Sequence, residues 1–252
     1  MTKSGVKQIL QIGDPLLSKV SHEVNFPLRT DLEKVINYLF ATLQSVGDLG
    51  VGLSAVQIGY LHRICIVKRL DWEEQIETLF HVNTKGDLVS ILDLDNGDFV
   101  QKLQGSMKNV DFEELMGLLS SERLHTKQIQ FIKDLLAPYL LEVLINPIVL
   151  ASSEEESIVW EGCLSVGVGD SALYAPVSRA NEITVEYQNI LGQKKTFTVE
   201  NWMSHLILHE IDHMNGLLFL SKVENIEDIH KSKELDDFFY THKRYPRVDE
   251  SF

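Results

Sequence analysis

Apolar positions along the chain recur with two different periods, and the period assigns the elements. Leu32, Val35, Ile36, Leu39, Phe40, Leu43 and Val46 follow one another at steps of three or four residues until Gly47, which predicts an amphipathic helix with one face on a core. Thr30 and Glu33 have the spacing of a capping box at its start. Ahead of it, Gln8 to Ile12 predicts a short extended piece, closed by a turn at Gly13-Asp14-Pro15. Arg63 to Lys68, with Ile64, Cys65, Ile66 and Val67 in succession, predicts a strand buried on both faces, and Val143 to Ile148 a further strand. Glu182 to Tyr187 and Lys194 to Thr198 flank the turn-like stretch Asn189 to Gln193 and predict an antiparallel pair. A second helix follows, with Thr198 as N-cap and Glu200 in its first turn, stopping at Asn215-Gly216. A third covers Leu235 to Tyr240.

Between the strand that ends near Arg69 and the strand around Val143, residues 71–140 carry a pattern of their own. A hairpin is predicted from Thr78 to Val82 and Leu88 to Leu92, then a helix from Glu113 to Leu119 capped by Asp111, then another from Glu122 to Leu136. Phe80, Leu115, Leu119, Phe131, Ile132 and Leu135 supply the apolar content of a packed subdomain. The expected organisation is one catalytic domain over residues 1–252 with an inserted subdomain at 71–140. Its roots flank the two richest motifs, so the insertion is expected at or beside the entrance of a substrate cleft.

Composition narrows the classes. A hydrophobic content of 44% over 252 residues is ample for a packed core. A net charge of −14 argues against broad contact with nucleic acid or anionic membrane. Two isolated cysteines give no disulfide framework, and no apolar run reaches spanning length, so a cytoplasmic protein is expected.

The chemistry is concentrated in three stretches. His209-Glu210-Ile211-Asp212-His213 matches H-E-x-x-H, in which two imidazoles one helical turn apart face a single cation. Glu210, beside the first ligand, is placed to carry a proton for water activated by that ion. Glu161-Gly162-Cys163-Leu164-Ser165 offers Cys163 as a third ligand, and a three-ligand set leaves a position open, as catalytic sites do. Cys65, in its apolar run, reads as core. Gly50-Val51-Gly52-Leu53-Ser54-Ala55-Val56-Gln57 lets backbone approach a ligand closely, which makes Val51 and Gly52 candidates for substrate contact. Gln57 brings an amide N–H that can polarise a carbonyl. His205, one turn before His209, lies too far along the axis from His213 to be a fourth ligand and is expected either to line the pocket or to be a hydrogen-bonded core residue. Glu161 and Asp212 are candidate acceptors for the ligand imidazoles, with Arg179 as a charge partner.

GVGLSAVQ, EGCLS and HEIDH, in that order, resemble the three signature motifs of the peptide deformylase family. The likeness extends to Ile9 through Pro15, to Asn146-Pro147 and to Asn215 through Phe219. It implies an α+β fold, with antiparallel and mixed sheets packed around a central metal-binding helix. It also implies hydrolysis of the formyl group from N-formylmethionyl peptides or nascent chains by one divalent metal ion held by Cys163, His209 and His213. In that scheme Glu210 is base and acid, and Gln57 and the Leu164 backbone N–H face the developing oxyanion. Fe²⁺ is the ion the resemblance implies, while the ligand types also suit Zn²⁺, Ni²⁺ or Co²⁺. Contact with the ribosome is a further implied partner. Departures from the family are the insertion, the missing proline in Val166 to Ser171, His205 in place of an apolar residue and Leu208 in place of Gln. The alternatives are another metallohydrolase, such as a zinc peptidase, and a deformylase-like binding protein without catalysis.

Overall fold

The computed structural model describes residues 5–47, 50–69, 71 and 141–247. Helix α1, Thr30–Ser45, buries Leu32, Val35, Ile36, Leu39 and Leu43 along the stripe its periodicity marks. Its start departs from the expected capping box: Thr30 is already helical, and Arg29 is the N-cap and makes no side-chain capping bond. Asp31 and Glu33 supply negative charge there instead, which the helix dipole favours. Strands β1, Gly52–Ser54, and β2, Ile64–Lys68, pair antiparallel with Leu53 opposite Ile66. Ile64 to Val67 are fully buried, Cys65 among them, as a strand covered on both faces requires. The segment expected as an extended piece at Gln8 to Ile12 is no strand. It is bonded to two other stretches, Leu10 N to the Gln57 carbonyl at 2.8 Å and Ile12 N to the Ser165 carbonyl at 2.7 Å.

The chain continues with β3 (Leu141–Ser152), β4 (Glu156–Gly162), β5 (Leu173–Ala180), β6 (Glu182–Gln188), β7 (Lys194–Glu200), helix α2 (Trp202–Met214), β8 (His230–Lys231) and helix α3 (Ser232–His242). One sheet has the order β1-β2-β3-β6-β7 and the other β4-β5-β8. The β3–β6, β6–β7, β4–β5 and β5–β8 pairs are antiparallel. β3 slips register between Ile145 and Ile148, where Asn146 takes φ 51 and Pro147 brings no N–H to the ladder. The freed side chain of Asn146 bonds both backbone groups of Val24 and the Gln188 amide.

Helix α2 starts later than its sequence suggests. β7 runs on through Glu200 with Val199 buried, so Thr198 meets Thr184 across the sheet and Glu200 stands in a strand. Asn201, at φ 55, then turns the chain into the helix. The stop is where it was expected: Leu217 N donates to the Asp212 carbonyl at 2.9 Å and Gly216 takes φ 76. A Cβ on Gly216 would meet the Ser18 backbone at 2.8 Å, so the position needs glycine twice over. From Met203 to Met214 every residue except Leu208 is buried, including two histidines of the H-E-x-x-H motif, its Glu210 and Asp212. A polar helix hidden this thoroughly needs partners from other elements.

The chain divides into two compact units, residues 1–67 with 143–252, and residues 68–142. In the second, the buried Arg69 pairs with Asp71 at 2.6 Å and with Glu142. The hairpin and the two helices expected within 71–140 lie outside the described residues. Among the described residues no helix is long and apolar enough to cross a membrane.

Candidate active site

Three donor side chains meet beside α2. Cys163 Sγ and one nitrogen each from His209 and His213 all lie within 4.8 Å of one another. The four-residue spacing brings the two rings edge to face, with centroids 4.8 Å apart. Cys163 follows directly on β4, and its sulfur stands 3.3 Å from His213 Nε2 and accepts from the Ser165 N–H at 3.4 Å. His205 is not part of this group.

The other nitrogens differ. His209 Nδ1 is 2.9 Å from Glu161 Oε2, and Phe219 stacks on the ring at 6.1 Å. A carboxylate on Nδ1 holds the proton there and leaves Nε2 as the lone-pair nitrogen. His213 Nδ1 is buried, and the Leu217 backbone is the group beside it that favours a proton.

Glu161 is the hub behind the three donors. Arg179 forks onto it, Nε to Oε1 at 2.6 Å and a terminal nitrogen to Oε2 at 3.0 Å, while the other terminal nitrogen reaches Asp212 Oδ2 at 2.7 Å. His205 Nδ1 sits 3.3 Å from Glu161 Oε1, and its Nε2 is 3.0 Å from Ser157 Oγ. Of the two carboxylates expected behind the imidazoles, Glu161 takes His209, whereas Asp212 takes Arg179. Burial opposes ionisation of Glu161, but hydrogen bonds from His205, His209 and Arg179 hold it well below the usual carboxylate range.

Across the site, Ser54 Oγ donates to Glu210 Oε2 at 2.7 Å, and Oε1 lies over Gly52, where a Cβ would come within 2.4 Å of it. Burial pushes the Glu210 carboxyl up to about 7, with His209 and the Ser54 hydroxyl pulling the other way. Gln57 is oriented by the Ser54 N–H, which donates to its Oε1 at 2.8 Å. Its Nε2 therefore turns toward Ser165 Oγ at 3.1 Å and Cys163 Sγ at 3.6 Å. Gln11 Nε2 donates to the Leu164 carbonyl at 2.9 Å, and Gln11 Oε1 accepts from Gly167 N at 3.2 Å, which ties down the loop carrying the cysteine.

A cavity of about 670 Å³ opens onto these groups. Cys163, Leu164, His209, Glu210 and Gln57 line it, as do the expected contact residues Val51, Gly52 and His205. Sequence reasoning assigned nothing to Gln11, Ser54 or Ser165. All three lie inside stretches already singled out, and each orients a neighbour whose role was read.

These residues suit a transition-metal ion. A thiolate and two imidazoles are a borderline-soft donor set, and three ligands leave a position open for a reacting group. The surroundings favour positive charge: burial opposes a second proton on His209, yet the Cys163 sulfur and Glu161 raise its pKa to about 10, and a metal ion bound at Nε2 would take the place of that proton. Burial, helped by the charge on His209, keeps His213 well below its usual value, hence neutral and able to coordinate.

The polypeptide deformylase family model matches residues 6–92 and 98–228. The peptide deformylase of Erythrobacter litoralis is 25% identical over 225 residues, 88% of this chain and 91% of the relative. That of Rhizobium meliloti is 41% identical over 85 residues, 34% of this chain and 47% of the relative. Among solved structures, the actinonin-bound class I type b peptide deformylase of Acinetobacter baumannii superposes with a TM-score of 0.55 at 19% identity, covering 88% of this chain and 100% of its own. A peptide deformylase from Legionella pneumophila gives 0.54 at 23% identity, covering 96% of this chain and 99% of its own. The mixture of helices and antiparallel sheets is thus the deformylase fold, and with a family match over most of its length the chain belongs to the polypeptide deformylases, metal-dependent enzymes that remove the formyl group from nascent polypeptides.

Proposed function

We propose that Cys163, His209 and His213 hold one divalent ion, Fe²⁺ by family resemblance, and that α2 is the central element around which the catalytic domain is built, with residues 71–140 as an inserted subdomain. The convergence of the three donor atoms within 4.8 Å carries this reading. When bound, the ion supplies Lewis-acid chemistry, polarising a carbonyl oxygen and making water nucleophilic near neutral pH.

The chain's own groups do the rest. Glu210, with a carboxyl near 7, takes a proton from the attacking water and gives one to the amine nitrogen as the formyl C–N bond breaks. Formate and a free amino terminus are the products. Gln57 Nε2 and the Leu164 N–H donate to the formyl oxygen as it gains charge. The amide is aimed for this: Ser54 fixes its oxygen, and the weaker of its two contacts, to sulfur at 3.6 Å, is the one a substrate oxygen can replace.

The substrate backbone has a place as well. Among the described residues β1 and β4 stand at the ends of their sheets, and both border the cavity, through Val51-Gly52 and Val159 to Gly162. An edge strand offers unpaired N–H and C=O groups, so an extended peptide can add to it. Its methionine side chain then enters the recess formed by Val159, Trp202, His205 and Leu206.

Glu210→Gln keeps size and helix propensity but removes basicity. Turnover of a formyl-methionyl peptide should fall by about a thousandfold or more with metal content unchanged. Cys163→Ala should lose most of the metal, measured by elemental analysis. A Glu210→Gln enzyme that retains substantial activity, or a Cys163→Ala protein with full metal, overturns the assignment. Cleavage of unformylated peptides at a comparable rate would favour a peptidase.

A further inference from the structure

The family match ends at residue 228, yet the cavity that holds the reacting groups is partly walled by Tyr245, seventeen residues farther on. That residue is brought there by a hook. Helix α3 ends in Lys243 at φ 58, whose left-handed backbone turns the chain back. Trp160 Nε1 of β4 then donates to the Pro246 carbonyl at 2.9 Å, and Pro246 is buried. Tyr245 is held between them with its ring 5.1 Å from Phe239.

Strand alternation says which side of β4 this hook occupies. Ser157 and Glu161 point at His205 and His209, so Ser157, Val159 and Glu161 face α2. Trp160 and Gly162 therefore face the other way, and the Tyr174 ring, directly across from Gly162, lies where a Cβ on that glycine would meet it at 2.3 Å. Trp160, Tyr174 and Tyr245 together make an aromatic wall of the cavity on the face away from the metal ligands.

We infer that this wall is a subsite for the side chain of the second residue of the substrate, selecting large apolar and aromatic residues there. The inference rests on the proposed addition of the peptide to the β4 edge. Successive side chains of an extended chain point to opposite faces, so with methionine directed toward α2 the next side chain points at Trp160 and Tyr245. Both residues line the cavity, and Tyr245 keeps 55% of its area exposed for a ligand to cover.

The test compares formyl-Met-Phe, formyl-Met-Leu and formyl-Met-Gly peptides, otherwise identical, with metal-loaded full-length enzyme. The wild type should favour Phe and Leu over Gly by about tenfold in kcat/KM. In Tyr245→Ala that ratio should fall toward one, and Trp160→Phe, which keeps a ring but loses the N–H that holds Pro246, should lower it as well. Metal content is measured for each variant. A wild-type ratio near one, or an undiminished ratio in Tyr245→Ala, overturns the subsite. Peptides N-methylated at each amide in turn test the underlying geometry separately: indifference to all of them overturns edge addition, whereas sensitivity to methylation with a flat side-chain profile overturns the subsite alone.

Discussion

Two walls of one cavity are built on opposite terms. Behind the three donors Cys163, His209 and His213, the cavity-lining Glu161 and His205 and, deeper, Arg179 and Asp212 are all at most 9% exposed, and their charged and polar atoms are joined by hydrogen bonds. At the mouth, Val168, Trp202 and Tyr245 are 69%, 39% and 55% exposed, and none of them is charged. Buried charge is tolerable only when paired with good geometry, so each group in the inner wall fixes the next to within a hydrogen bond. Apolar side chains at the surface are held by contact alone, which leaves their identity free to vary. On the proposed function, the chemistry is set where substitution is costly, and the range of substrates where it is cheap.

The sharpest way to break this contrast is Arg179→Met. It removes a guanidinium that bonds two buried carboxylates, leaving, among the described residues, Glu161 with its histidines and Asp212 with Lys222 at 3.9 Å. The expected loss is about 3–5 kcal/mol, read from urea unfolding. A loss below about 1 kcal/mol would mean that the inner wall is held by packing rather than by charge. Acid sharpens the same point. The folded pKa of Glu161 is depressed below its ordinary 4.5, so its stabilising effect is complete above that pH and fades as pH falls toward the folded value. The stability gap between wild type and Glu161→Gln should therefore be wide at neutral pH and narrow at pH 3, and a gap independent of pH would contradict an ionised Glu161.

A smaller effect is expected where the two walls meet. A Cβ on Gly52 would lie 2.4 Å from Glu210 Oε1 and 2.9 Å from Leu206 Cδ1. The Glu210 carboxylate cannot simply turn away, because Ser54 holds its other oxygen. Gly52→Ala should therefore shift Glu210, the proposed proton carrier, by a fraction of an ångström and lower kcat by about ten- to a hundredfold with metal retained. A wild-type rate in that variant would show that the position of Glu210 is not critical.

The sequence made some of this plain and hid the rest for physical reasons. Helix α1, strands β2, β6 and β7 and the stop of α2 followed from local periodicity and from Asn215-Gly216, because a helix face or a buried strand is written in consecutive residues. β4 and β5 were missed. β5 contains Pro176, which reads as a break, yet it sits opposite Trp160 within a paired strand. The start of α2 was placed too early because Thr198 and Glu200 look like a cap, while pairing with β6 keeps them in the sheet. The spacing of His209 and His213 marked the donors. That Glu161 lies behind one and not the other depends on how β4 crosses α2, which no local pattern encodes. Tyr245 was beyond reach for the same reason.

The smallest expected effect concerns His205, the inner-wall residue least bound to its neighbours. Its contact to Glu161 is 3.3 Å, longer than the bonds from Arg179 and His209 to the same carboxylate, and its other nitrogen meets Ser157 Oγ at 3.0 Å. If Nδ1 donates to Glu161, Nε2 must accept from the Ser157 hydroxyl, so one tautomer satisfies both. His205→Leu breaks both bonds but leaves Glu161 with its bidentate arginine, and leucine restores an apolar surface to the recess. Stability should fall by about 1 kcal/mol, and turnover of a formyl-methionyl peptide should stay within about threefold of wild type. His205→Gln, able to keep one of the two bonds, should fall between. If instead His205→Leu costs as much as Arg179→Met, the imidazole carries a share of the inner wall equal to that of the guanidinium. The ranking of these side chains by bond length would then be wrong.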